Sequence, residues 1–286
     1  MNEKTINEQY AHIRSLLENK RLKEALMQLE SLLWQCPDWE LRNRLEQLQT
    51  SYKYMLDYMR QGTSDPERWN VYRKLVADTW DISDQSCQLM LDKSSTRYYH
   101  ELRRKVTPTE TPENSILENL HILESFNDDL AVSGLLSDEK MAEVLKRHED
   151  TLQSMFLRTW TNNKWTTQEA EDAQTMLASE LLPVNDLSLF VSAVTLSVME
   201  CFDLRKVMWL LDAYTHPVVN VNQRALVGVI IVMHIYRNRL SLYPDLIDRV
   251  ELMDDLPTFK DNVNAKIARH NIPVSFKNNT YTVNVG

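Results

Sequence analysis

Four glycines and nine prolines in 286 residues leave this chain few positions for tight turns. A β-sandwich or barrel needs such turns every few residues, so most all-β architectures are excluded at the outset. Apolar residues instead recur at spacings of three and four, the period of an amphipathic helix. The expected fold class is all-α. Its centre is the stretch 186–256, where two long apolar runs, LSLFVSAVTLSVMECF and VNQRALVGVIIVMHIY, are each followed by a shorter helical segment.

These two runs align at an offset of 34 residues, pairing Val198-Met199 with Val232-Met233 and Phe202 with Tyr236. Their second helices, 204–214 and 245–253, align at a slightly longer offset because 237–244 is an enlarged connection. The period falls near the ~40 residues of a HEAT unit. Pro217 followed by Arg224-Ala225-Leu226 resembles the opening of such a unit, in which a proline ends one helix and this triplet enters the next.

Near the amino terminus, 4–18 and 22–34 form a second candidate hairpin, with Asn19 and Lys20 at its turn. Ala25, Leu29 and Leu32 followed by Pro37 resemble a tetratricopeptide unit over about one ~34-residue period. Gln9 and Ile13 stand where that family places tryptophan and glycine. RALVGVIIVMHIY and LMDDLPTF are similar to helical-repeat proteins of Bacteroidetes, and the tail from about Asn271 departs from them. The resemblances imply antiparallel helical hairpins stacked into an α-α superhelix.

Further helices are expected at 39–59, 67–79, 83–91, 97–106, 113–126, 137–160 and 166–182, the last opened by a Thr166/Glu169 capping box. Thr107 to Glu113, TPTETPE, reads as a linker, since each proline disfavours helix in the residue before it. The expected organisation is a tetratricopeptide-like region over 1–106, a HEAT-like region over 107–270, and a tail over 271–286. The tail changes to a period of two about Asn278-Asn279, as a β-hairpin would.

The net charge of -9 disfavours a nucleic-acid backbone as the main partner. The one basic stretch with aromatics, KSSTRYYHELRRK over 93–105, offers Arg97 and Tyr98 as partner contacts. Cys36, Cys87 and Cys201 are widely spaced in apolar surroundings. They suggest neither a disulfide framework nor a metal knuckle, and fit a reducing, cytoplasmic setting. No secretory leader or continuous apolar membrane span of ~18 or more residues is expected.

Catalytic chemistry has little sequence support. Glu118 and His121 have the spacing of one di-iron half-site, but a bundle site needs that pattern twice. His148-Glu149-Asp150 lacks the second histidine of a zinc-protease motif. His234 stands alone on an apolar helix, and the dispersed glycines cannot form a phosphate-cradling loop. Gly228 is better explained by close helix approach.

The seven tryptophans are expected mainly in the core, as large aromatics generally are. The leading expectation is a protein-interaction scaffold or adaptor with no catalysis and no cofactor, able to self-associate. Its contact residues are expected on the enlarged connection, at Arg237, Arg239 and Tyr243, because loops lengthened within a repeat lie on one exposed face. The alternative is a helical enzyme or small-molecule sensor whose pocket draws His121, His148 and His234 together from distant helices.

Overall fold

A computed structural model describes residues 1–36, 38–62, 65–106, 115–135 and 137–254, and the backbone of 275–277 and 280–282. It is all-α, as the periodicity and the scarcity of glycine predict. The chain divides into two units. Unit 1 comprises Met1–Glu101 together with Asn238–Ile247, and unit 2 comprises Leu102–Arg237 and Asp248–Gly286. The 107–113 linker lies outside the described residues, as do most of the tail and its turn. Two extended segments, β1 (Ser275–Lys277) and β2 (Thr280–Thr282), lie antiparallel with Phe276 opposite Tyr281.

Unit 1 is built from α1 (Glu3–Glu18), α2 (Leu22–Leu33), α3 (Trp39–Arg60) and α4 (Arg68–Ser94). Asn2 caps α1 by accepting from Thr5 N at 2.8 Å, and Asp38 caps α3 through Glu40 N. Helix α1 ends in a Schellman turn. Arg21 N donates to Leu16 O and Lys20 N to Leu17 O, while Lys20 takes the left-handed φ of 60° that this cap requires. Helix α4 is one continuous element, where the sequence suggested a break near Ser83-Asp84. Those polar residues resemble a helix start, but both are buried within the helix and α4 runs through them.

The contacts of unit 1 form a ring: α1 packs on α2 and α4, α3 packs on α2 and α4, and α2 also meets α4. This closure is the pattern of a four-helix bundle, in which the first helix meets the last. Its core runs from Ile6, Tyr10 and Ile13 through Leu26 and Leu29 to Ile82 and Cys87. A short 3-10 turn, Leu240–Leu242, also packs on α4. Helix α5 (Tyr98–Val106) follows α4 in sequence.

Unit 2 contains α6 (Ile116–Glu124), α7 (Phe126–Gly134), α8 (Asp138–Thr161), α9 (Thr167–Ala178), α10 (Val184–Glu200), α11 (Leu204–Tyr214) and α12 (Val219–Tyr236), and α13 (Pro244–Asp254) runs into it. The expected capping box forms at Thr166 and Glu169. Helix α7 was not anticipated, since the 113–126 segment ends at Ser125 and restarts at once.

The side-chain contacts of unit 2 recur at a near-constant sequence separation. His148 meets Asp186 across 38 residues and Ser197 meets Asn162 across 35, which ties α8 to α10. Tyr236 meets Val198 across 38, which ties α10 to α12. Trp209 meets Ala173 across 36, and Arg249 meets Asp212 across 37. Helix α10 thus packs on both α8 and α12, and α11 packs on α9, α10 and α12.

Helix α12 has the length and mean hydropathy of a bilayer-spanning helix, although Asn220, Asn222, Gln223 and Arg224 interrupt its apolar run. In the structure it packs on α10 and α11, burying Val221, Ala225, Leu226, Val229 and Val232. Gly228 sets its approach to α10, as expected. A Cβ there would lie 2.4 Å from Thr195 Oγ1 and 3.3 Å from its Cγ2. Overpacking of this kind costs about 1–3 kcal/mol, against about 1 kcal/mol gained in helix propensity. Gly228→Ala should therefore lower stability by up to about 2 kcal/mol in chemical denaturation, and Thr195→Ala introduced with it should restore most of the loss. Full stability of Gly228→Ala alone would show that the two helices can separate freely.

Candidate protein-interaction surface

Three tryptophans lie at the ends of helices in unit 1 and face outward. Trp69 is 76% exposed, Trp34 73% and Trp39 68%. Trp34 and Trp39 flank the connection between α2 and α3, and Trp69 stands in the first turn of α4, edge-on to Tyr72 with centroids 6.1 Å apart. The core role expected of tryptophan holds for Trp80, Trp165 and Trp209 and fails for these three. They occupy helix termini: Trp34 caps the end of α2, Trp39 opens α3 and Trp69 lies in the first turn of α4.

Tyr54 and Tyr58 are likewise exposed, one turn apart on α3. They continue the stripe of Gln47 and Ser51, since positions 47, 51, 54 and 58 share one helical face. Gln47 and Ser51 line a cleft of about 410 Å³ between α3 and α4, whose opposite wall carries Val71, Lys74 and Asp78. Burial pushes the Asp78 carboxyl above its usual range, while Lys74 and Arg44 pull it back. Arg44 also donates to Asp81 at 2.7 Å, so one wall of the cleft is fixed by an ion pair. The result is an amphipathic groove whose α3 stripe ends in two tyrosines.

The residues anticipated as partner contacts are distributed differently. Arg239 is not at the surface. It is 2% exposed, with Nη1 donating to Asp84 Oδ2 at 2.5 Å and its guanidinium 5.0 Å from the centre of the Trp80 ring. The enlarged connection thus turns inward, where α4 offers the guanidinium a carboxylate and an indole face. Tyr243 is half-buried beside Arg239 and Asp84, and burial pushes its phenol up. Arg237 is half-buried and donates to the His234 carbonyl. Arg97 and Tyr98 are exposed, whereas Arg103 of the same basic stretch is buried and donates to Thr161 O at 2.6 Å.

The three histidines of the enzyme alternative lie on separate helices with separate partners. His121 on α6 faces Glu124 at 3.6 Å. His148 on α8 meets Asp186 at 2.7 Å and stacks on Phe126 with centroids 3.8 Å apart. His234 on α12 has a buried Nδ1 that finds no hydrogen-bond partner among the described residues, and neither other histidine reaches it. A cleft of about 410 Å³ between α6 and α8 is lined by Asn119, Glu143, Lys146 and Asp150, among others, and by none of the three. Among the described residues no cluster of metal-ligating side chains occurs, so Glu118 and His121 gain no second half-site there.

One polar cluster went unnoticed in the sequence. Lys206 is fully buried, with Nζ donating to Ser197 Oγ at 2.8 Å and to the carbonyl of Asn162, the residue that ends α8. Asp203 accepts from Trp165 N at 2.7 Å, and Lys164 donates to Phe202 O. A serine and a lysine in contact can form a nucleophile and its base. Here the Ser197 hydroxyl donates to Asn162 O at 2.7 Å and receives from the lysine, so its proton points away from the amine. Both side chains are also 0% exposed, which leaves a substrate no approach. The cluster joins the connection after α8 to the one after α10, and Lys206 Nζ lies 5.4 Å from the centre of the Trp165 ring, in an aromatic group with Phe190 and Trp209.

Burial lowers the Lys206 pKa from 10.5 to about 8, with Asp203 partly opposing it. A folded-state pKa below the unfolded one means that the unfolded chain binds the proton more tightly. Stability from this group is therefore lowest below pH 8 and rises as pH increases from about 8 to 10.5. The full range corresponds to about 3 kcal/mol. Relative to Lys206→Met, the wild-type chain should gain roughly that much between pH 7 and pH 10.5 in denaturant titrations. A constant difference across that range would mean that Lys206 is not buried as a charge. No family model matches the chain, and no curated protein or solved structure matches it significantly, so its function has to be argued from its own residues.

Proposed function

We propose that this chain is a non-catalytic protein-interaction module, a scaffold or adaptor built on helical repeats. The observation that carries the reading is the outward display of Trp34, Trp39 and Trp69, with Tyr54 and Tyr58, on unit 1. Tryptophan and tyrosine are the residues on which protein interfaces most often depend, and exposing three indoles to water is otherwise unfavourable. The buried polar groups, in contrast, are taken up in holding helices together, as at Lys206 and Asp84. The packing of α10 on both α8 and α12 supports a repeat-like, superhelical arrangement, and the antiparallel segments 275–277 and 280–282 support a terminal hairpin. Three buried free thiols suit a reducing, cytoplasmic setting.

Exposed positions of this kind contribute little to folding, within about 0.5 kcal/mol. Trp34→Ala, Trp39→Ala and Trp69→Ala should leave helix content and thermal unfolding nearly unchanged. Quantitative cross-linking in native extract, comparing each variant with wild type, should show at least one losing roughly tenfold or more of its partner, the scale of a hot-spot residue. Equal capture by all three variants would remove the tryptophans as the interface.

A further inference from the structure

The segment 238–247 is held by unit 1 in the manner of a bound peptide. Arg239 inserts its guanidinium between the Asp84 carboxylate and the Trp80 ring, and Leu242, three residues on, packs against the core of unit 1. Between them the backbone makes only a short 3-10 turn, with Leu242 N donating to Arg239 O at 2.9 Å. At its start Asn238 reaches Glu18 at 2.9 Å, and near its end Leu246 is 2% exposed. A planar cation on an indole face with a carboxylate at its edge, followed by an apolar anchor, is a peptide-recognition arrangement.

The receiving site is built to persist without its occupant. Asp84 has a second cation, because Arg14 Nη2 stands 3.4 Å from Oδ1, the oxygen that Arg239 does not use. Withdrawal of Arg239 therefore leaves a paired carboxylate, avoiding the large penalty of an unpaired buried charge. The 3-10 turn is itself too short to hold the segment in place by backbone bonding.

We propose that α4 of unit 1, with Asp84 and Trp80, forms a recognition site for a protein segment of the pattern Arg-Xaa-Xaa-Leu, filled in cis by Arg239–Leu242 and open to the same pattern in trans when that segment lifts. The inference rests on the reading of the chain as a protein-binding module. It concerns a different surface from the exposed tryptophans, so either can fail alone.

The test uses the full chain carrying Arg239→Gln and Leu242→Ser, and a fluorescent synthetic peptide of residues 236–248 with the native sequence. Masking in cis reduces apparent affinity by the fraction of open sites. The peptide should bind the double variant at least tenfold more tightly than wild type, and adding Asp84→Asn should abolish the gain. A peptide with lysine in place of Arg239 should bind at least tenfold more weakly, since an ammonium cannot stack as a guanidinium does. No binding by a double variant of native helix content, or equal binding with Asp84→Asn, would overturn the proposal.

Hydrogen exchange on the wild-type chain decides independently if the double variant does not fold. The amides of Leu242 and Tyr243 should exchange by local opening, roughly a hundredfold or more faster than those of Ile82 to Cys87 in α4. Exchange of both sets at one common rate would mean that the segment leaves only when unit 1 unfolds, and the site would then be structural.

Discussion

Helix α10 buries a wide face, and the arrangement of unit 2 follows from the need to cover it. Phe190, Val191, Ala193, Val194 and Val198 are each 0% exposed and together span nearly half of the helix circumference. A face that wide must be covered by more than one neighbour. Helix α8 covers one side, α12 another and α11 a third. The approach of α12 is close only because Gly228 leaves room for Thr195, whose hydroxyl turns back to Val191 O. Two of the covering helices, α8 and α12, lie on either side of α10 in the chain, and α11 follows it directly.

Buried polar groups then fix the register of this stack. Apolar faces alone would tolerate sliding, since hydrophobic contact is not directional. Lys206, Ser197 and the end of α8 permit one alignment, and Asp203 with Trp165 N permits the same one. His148 with Asp186 repeats the device further along α8. These groups have the residue types of catalytic sites, yet each satisfies a helix end or a charge that burial would otherwise leave costly.

Much of this was readable in the sequence wherever a signal was local. The α10 and α12 runs, the Thr166 cap, the Asn19-Lys20 turn and the role of Gly228 each depend on residues within one element or its neighbour. The packing of α8 on α10 was not readable because α8 is mostly charged and half-exposed, so its apolar pattern does not resemble that of α10. The break expected in α4 came from Ser83 and Asp84, whose polarity marks a helix start in water and a pairing site in a core. The exposed tryptophans were misplaced for a related reason: composition reports that an indole is apolar, but not whether a neighbouring helix covers it.

Arg239 shows where local reading ends. Its partner Asp84 lies 155 residues away, and nothing near either residue announces the other. From the sequence both look like solvated charges, one in a lengthened loop and one in an apparent helix cap. Brought together over Trp80, with Arg14 on the remaining carboxylate oxygen, they become a site in which one cation belongs to the bundle and the other arrives from a distant segment. The asymmetry between these two arginines is the informative feature. Arg14 is 45% exposed at its side chain and stands 3.4 Å from the carboxylate, whereas Arg239 is enclosed and stands at 2.5 Å. The stronger contact is thus made by the segment with the least secondary structure of its own, which is the arrangement expected where side-chain recognition, and not backbone bonding, holds a segment in place.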